Sequence, residues 1–117
     1  MSQSRARRAA ALLVLTLGVA PAALGAEEPV VGTPYVFQTV DSYNVVNHIE
    51  VEVTGILQGE SAPRTVSFWY NLGNIDSAGH LTRCDRMALL AMNKPGLYLL
   101  EMTQTNTSVA RCRLTRR

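Results

Sequence analysis

The chain is short of the residues from which reactive centres are built. Its 117 residues include two histidines, two cysteines and one tryptophan. His48 and His80 lie far apart and neither sits in a ligand-spaced motif, whereas a zinc site draws three or four ligands from closely placed Cys, His and carboxylate groups. No serine lies in a nucleophile-elbow sequence. Glu50 and Glu52 alternate on a strand face, where two carboxylates read as solvated surface rather than as an acid and base pair. The sequence therefore implies no metal, no cofactor and no enzymatic activity.

Long apolar runs are also missing. A membrane-spanning helix needs about 20 apolar residues, and the run AAALLVLTLGVA, Ala9 to Ala20, is about a dozen. Arg5, Arg7 and Arg8 precede it, and Pro21 and the small residues AALGA follow. That order is the pattern of a secretory signal. Cleavage is expected after Ala26, with cleavage after Gly25 or Ala23 as alternatives. Arg7-Arg8 lacks the surrounding consensus for twin-arginine export, and no cysteine follows the run to take a lipid. The expected organisation is a signal peptide over 1–26 and one small secreted domain over 27–117, with no membrane span in the mature chain. Lysine is nearly absent, Lys94 alone against ten arginines, and this make-up behind such a leader has a bacterial look. The address is then periplasmic or extracellular.

Basic charge is scarcer than the total suggests. The chain carries +2, but three of its eleven basic residues precede Glu27 and all nine acids follow it, leaving the mature part at about −1. A nucleic-acid-binding domain needs a basic patch in the mature chain; none is implied. Export places Cys84 and Cys112 in an oxidising compartment, so a disulfide between them is expected.

What is present is strand pattern around one helix. Glu27 to Pro34, EEPVVGTP, reads as an extended arm. Tyr35 to Val40 is a short strand or the first half of a longer bent one, and Asp41, Ser42 and Asn44 break it. Val45 to Leu57 reads as the clearest strand, with Ile49, Val51 and Val53 alternating against His48, Glu50, Glu52 and Thr54. Gly55 suggests a bulge or bend. After the loop QGESAPR, Thr65 to Leu72 alternates again, with Val66, Phe68, Tyr70 and Leu72 on one side. TRCDRMALLAMNKPG, Thr82 to Gly96, reads as an amphipathic helix with Cys84, Met87, Ala88 and Ala91 on one face. Thr82 and Asp85 fit a capping box, a start capped by Asp76 or Ser77 is the alternative, and Pro95 and Gly96 end the helix. Strands Leu97 to Gln104 and Val109 to Thr115 close the chain, with Ala110, Cys112 and Leu114 inward. The expected fold is α+β, a small five-stranded OB-like barrel or antiparallel sheet with one helix between strands 3 and 4.

Trp69 is the leading candidate for a binding residue. If Phe68 and Tyr70 face inward, its indole faces out between Ser67 and Asn71, a stacking platform for a sugar, a base or a partner side chain. The ordinary alternative is a reversed register or a covering loop that makes Trp69 part of the core. Arg111 and Arg113, followed by Arg116 and Arg117, suit an anionic partner or a charge-protected edge strand. Asn106-Thr107-Ser108 is a glycosylation sequon, relevant only in a source that glycosylates. The function expected is a non-catalytic binding or interaction module whose partner is a protein or a glycan. The alternatives are an assembly subunit pairing through edge strands, and a small hydrolase or an inhibitor of one.

Overall fold

A computed structural model describes residues 25–71 and 77–117. Nearly all of the leader, the inward position expected for Leu72 and the alternative cap Asp76 lie outside the described residues. The element order is β1 (Pro34–Phe37), β2 (Ser42–Asn47), β3 (Glu50–Ile56), β4 (Pro63–Trp69), α1 (Ser77–Asn93), β5 (Tyr98–Asn106) and β6 (Val109–Arg116). The fold is α+β, with two antiparallel three-stranded sheets ordered β2-β3-β4 and β1-β5-β6, and one helix. Five strands in one sheet or closed barrel, as the sequence suggested, is corrected. The helix falls between the fourth and fifth strands, because the expected long strand Val45 to Leu57 is a hairpin. Asn47 makes the turn: its Oδ1 accepts the Ile49 N–H at 2.9 Å, the local bond that lets Asn compete with a continuing ladder.

The two sheets are joined where β1 meets the end of β3. Phe37 pairs with Leu57, Gln58 N–H donates to Val36 O at 2.8 Å, Gln38 N–H donates to Ile56 O at 2.8 Å, and Asp41 N–H donates to Thr54 O at 2.7 Å. Gly55 sits at this crossing. It produces no bulge against β4, where the register runs unbroken from Glu50 opposite Trp69 to Ile56 opposite Pro63. The irregularity lies instead between Val45 and Asn47 of β2. Gly55 takes an inward place in the alternation of β3, and a Cβ there would overlap the Thr39 carbonyl and lie 3.2 Å from the Phe37 ring. The glycine is required by the close approach of two backbones.

Helix α1 starts a turn earlier than the capping-box reading placed it, so Thr82 and Asp85 lie inside it. Its buried stripe is Leu81, Cys84, Ala88 and Ala91, the spacing of three and four that one helical face requires. Asn93 is its last residue; Pro95 cannot continue the helix, and Gly96 adopts φ +86°. The helix packs against β2, β5 and β6. Its stripe meets a core that includes Phe37, Val51, Val53, Val66, Phe68, Leu100 and Met102. Tyr35 and Phe68 meet edge-on across the two sheets, with ring centroids 5.9 Å apart. Cys84 and Cys112 form a disulfide with Cα atoms 5.8 Å apart and a separation of 28 residues. Closing such a loop restricts the unfolded chain, a stabilisation of about 3 to 4 kcal/mol.

Gly55→Ala is expected to destabilise the domain by about 2–3 kcal/mol, because backbone or the Phe37 ring must move. Thermal unfolding should show this as a drop of roughly 10 °C or more in the midpoint; an unchanged midpoint would show that the crossing has room for a side chain.

Candidate functional site

In the alternation of β5, Leu100 and Met102 face inward and Gln104 follows them, so a polar amide falls on an inward position. A buried amide has to find partners, and Gln104, 2 % exposed, finds four. Trp69 N–H donates to its Oε1 at 2.9 Å. Its Nε2, with two hydrogens to donate, lies within hydrogen-bond distance of three carbonyls, Trp69 O at 2.9 Å, Asn106 O at 2.9 Å and Val109 O at 3.1 Å, so that one N–H is shared. The side chain thus serves the last residue of β4 as a neighbouring strand would, and it also holds the β5–β6 turn.

The rest of the free edge of β4 is taken by the N-terminal arm. Glu27 pairs in parallel with Val66: Glu27 N–H donates to Thr65 O at 2.8 Å and Ser67 N–H donates to Glu27 O at 2.9 Å. The Arg64 guanidinium grips the Glu27 carboxylate with two bonds, Nε to Oε2 at 2.9 Å and Nη2 to Oε1 at 2.7 Å, and reaches Glu60 at 2.8 Å with Nη1. The arm then crosses to the other sheet, where Val30 N–H donates to the Tyr35 hydroxyl at 2.8 Å and Gly32 N–H donates to Gln104 O at 2.8 Å. With its edge filled in this way β4 makes no ladder with a strand of the other sheet.

Between arm and sheet lies a cavity of about 280 Å³, lined by Glu28, Pro29, Val31, Trp69, Gln104 and Thr107. Trp69 is half-buried as one wall of it. Asn71 is exposed just beyond. Ser67 is not part of an open platform: it is 2 % exposed, and its hydroxyl donates to Glu50 Oε2 at 2.6 Å. Glu50 stands opposite Trp69 in the ladder and is half-buried rather than freely solvated. Arg111 and Arg113 lie exposed on β6, away from the residues that line this cavity. Glu28 and Gln104 were not singled out from the sequence, and neither the arm nor Glu50, read as solvated surface, was assigned to a site; a polar residue at an inward strand position is the signal that could have found Gln104.

The histidines stay apart. His48 is exposed in the β2–β3 turn. His80 is half-buried; its Nε2 donates to Ala110 O at 3.0 Å and its ring lies 5.6 Å from that of Tyr70. Behind α1, burial raises the Tyr43 and Tyr70 hydroxyls well above the ordinary tyrosine range, and the Asp85 carboxylate adds to both. Asp85 lies beside Tyr43 without closing a hydrogen bond, since Tyr43 Oη and Asp85 Oδ1 have no bonding partner among the described residues. Among the described residues no group of three His, Cys, Asp or Glu could hold a metal ion, and no helix is long and apolar enough to cross a membrane. Comparison with protein-family models, with curated proteins and with solved structures finds no match to this chain.

Hydrogen bonding to Arg64, partly opposed by desolvation, holds the Glu27 carboxyl below its ordinary value of 4.5. A depressed carboxyl stabilises the docked arm above the unfolded value and loses that contribution as pH falls through the folded one. The pair is half exposed, so its share of global stability is small. Acidification to below pH 4.5 is therefore expected to loosen the arm and change Trp69 emission before the domain unfolds. Glu27→Gln should remove that step; a step that persists in the variant would assign it elsewhere.

Proposed function

We propose that this chain is an exported, non-catalytic binding module that engages a protein or glycan partner at the Trp69 cavity. The observation that carries the reading is the sole tryptophan of the chain standing half-buried in a cavity whose opposite wall is the N-terminal arm. An indole face offers stacking area to a sugar ring or an aliphatic or cationic side chain, and Glu28, in the lining of the same cavity, supplies a carboxylate that accepts hydrogen bonds from hydroxyls or a cation. Gln104 fixes the Trp69 backbone, so the wall of the cavity is preorganised and little ordering cost falls on binding. The disulfide accords with a periplasmic or extracellular setting, and the Ala9–Ala20 run behind Arg5, Arg7 and Arg8 supports export.

Trp69 emission is expected to shift on titration with a panel of soluble oligosaccharides and extended peptides. Trp69→Ala should abolish the binding of the responding probe while leaving the circular dichroism unchanged. Full affinity in Trp69→Ala and in Glu28→Ala would remove the cavity from consideration.

A second reading, assembly through an edge strand, draws on the contrast between two edges. Strand β2 has no strand on its second edge among the described residues. It carries no charge, and Val45 and Val46 are 49 % and 43 % exposed. The β6 edge carries Arg111, Arg113 and Arg116, the charge that natural edges use against pairing. Sedimentation should show a concentration-dependent dimer that Val45→Lys disperses; a monomer at high micromolar concentration would dismiss this reading.

A further inference from the structure

Where α1 ends and the chain turns back into β5, the domain presents side chains that none of its own elements covers. Pro95 and Gly96 make the turn, with Gly96 at φ +86°. A Cβ added at Gly96 would meet no atom within 4 Å, so the turn projects into open space. Around it Leu89, Leu90 and Leu97 are 56 %, 36 % and 48 % exposed. A single exposed leucine is ordinary. Several gathered at one projecting end form the kind of apolar patch that meets a partner or a membrane.

Backbone bonds bring cations to the same end. Lys94 N–H donates to Leu90 O at 3.2 Å, Leu97 N–H donates to Lys94 O at 3.2 Å, and Arg117 N–H donates to Leu97 O at 2.8 Å. Arg116 stands opposite Tyr98 where the β5–β6 ladder begins. Lys94, Arg116 and Arg117 are all exposed. No acidic residue occurs between Asp85 and Glu101, or after Glu101, and Glu101 stands opposite Arg113 further along the ladder. The carbonyl end of α1 contributes about half a negative charge, which three full positive charges outweigh.

This pairing of aliphatic and cationic groups on a projecting turn matches one class of surface. At an anionic lipid bilayer, leucine side chains enter the boundary between headgroups and acyl chains, while lysine and arginine keep their charges at the level of the phosphates on long apolar stems. The exposed Trp or Tyr anchors that centre protein–protein hot spots are missing from this tip, where Tyr98 is half-buried. Contact of this kind is peripheral and needs no spanning helix.

We propose that the α1–β5 turn docks the domain on an anionic lipid surface, with Leu89, Leu90 and Leu97 entering the headgroup region and Lys94, Arg116 and Arg117 meeting its phosphates. The patch shares no residue with the Trp69 cavity, and the proposal does not depend on that reading.

The test is co-sedimentation of the protein recovered after export with two vesicle populations, phosphatidylcholine alone and an equal mixture of phosphatidylcholine and phosphatidylglycerol. Binding is expected to the mixed vesicles and to be at least about tenfold weaker to the neutral ones. Lys94→Gln and Arg117→Gln should each weaken it about fivefold, the equivalent of about 1 kcal/mol. Leu97→Ser should weaken it by a similar factor. Arg111→Gln makes the same change of charge towards the other end of β6 and should stay within twofold. All four replaced side chains are exposed, so each variant should keep the thermal midpoint of the parent. Equal binding to both vesicle populations, no binding to the mixed vesicles at low salt, or an Arg111→Gln loss equal to that of Arg117→Gln would each overturn the proposal. Self-association that Leu97→Ser abolishes, in the absence of vesicle binding, would assign the patch to a second copy of the chain instead.

Discussion

The Gln104 carboxamide is the contact on which the rest of the arrangement depends. Two three-stranded sheets pack on a shared core, and at one end the last residue of β4 would be left with an unsatisfied amide and carbonyl. Leaving buried backbone groups unpaired costs about 1–3 kcal/mol each. Gln104 pairs with both groups of Trp69 and with two carbonyls of the β5–β6 turn. One side chain therefore joins the sheets, holds the Trp69 backbone and fixes the turn that carries Thr107 to the rim of the cavity. The arm completes the closure, docked on β4 through Glu27 and on β5 through Gly32.

A second tie acts at the far side. The disulfide couples the middle of α1 to β6, holding the helix against the β1-β5-β6 sheet while its buried stripe fills the core. In a domain of this size the core alone leaves a small margin of stability, so a covalent link worth a few kcal/mol matters. From Glu27 onward the formal charges nearly balance: Glu27, Glu28, Glu50, Glu52 and Glu60 lie along the arm, β3 and the β3–β4 connection with Arg64 among them, while Arg83, Arg86, Arg111, Arg113 and Arg116 lie on α1 and β6 with Asp85 and Glu101 near them in the fold.

Much of the local structure was legible from pattern. The alternation of Val51 and Val53, of Val66, Phe68 and Tyr70, and of Ala110, Cys112 and Leu114 placed the inward faces correctly. The spacing of Cys84, Ala88 and Ala91 identified the helix face, and the cysteine count gave the disulfide. The hairpin turn at Asn47 was hidden because Ile49 continues the alternation of Val51 and Val53 straight through it. Gly55 was recognised as special for the wrong reason: it relieves a crossing with Thr39, a contact between segments sixteen residues apart.

The sequence by itself determined which residues are inward, where the helix stops and which cysteines can join, because these follow from periodicity, backbone chemistry and redox setting within a few residues or from a count. Only the tertiary structure decided that the edge of β4 is filled by an arm and a glutamine rather than by a strand, that Ser67 is covered, and that Trp69 and Glu28 share one cavity. These are matters of which hydrogen-bonding edge meets which group across long stretches of chain, and several registers satisfy the same alternation until packing selects one.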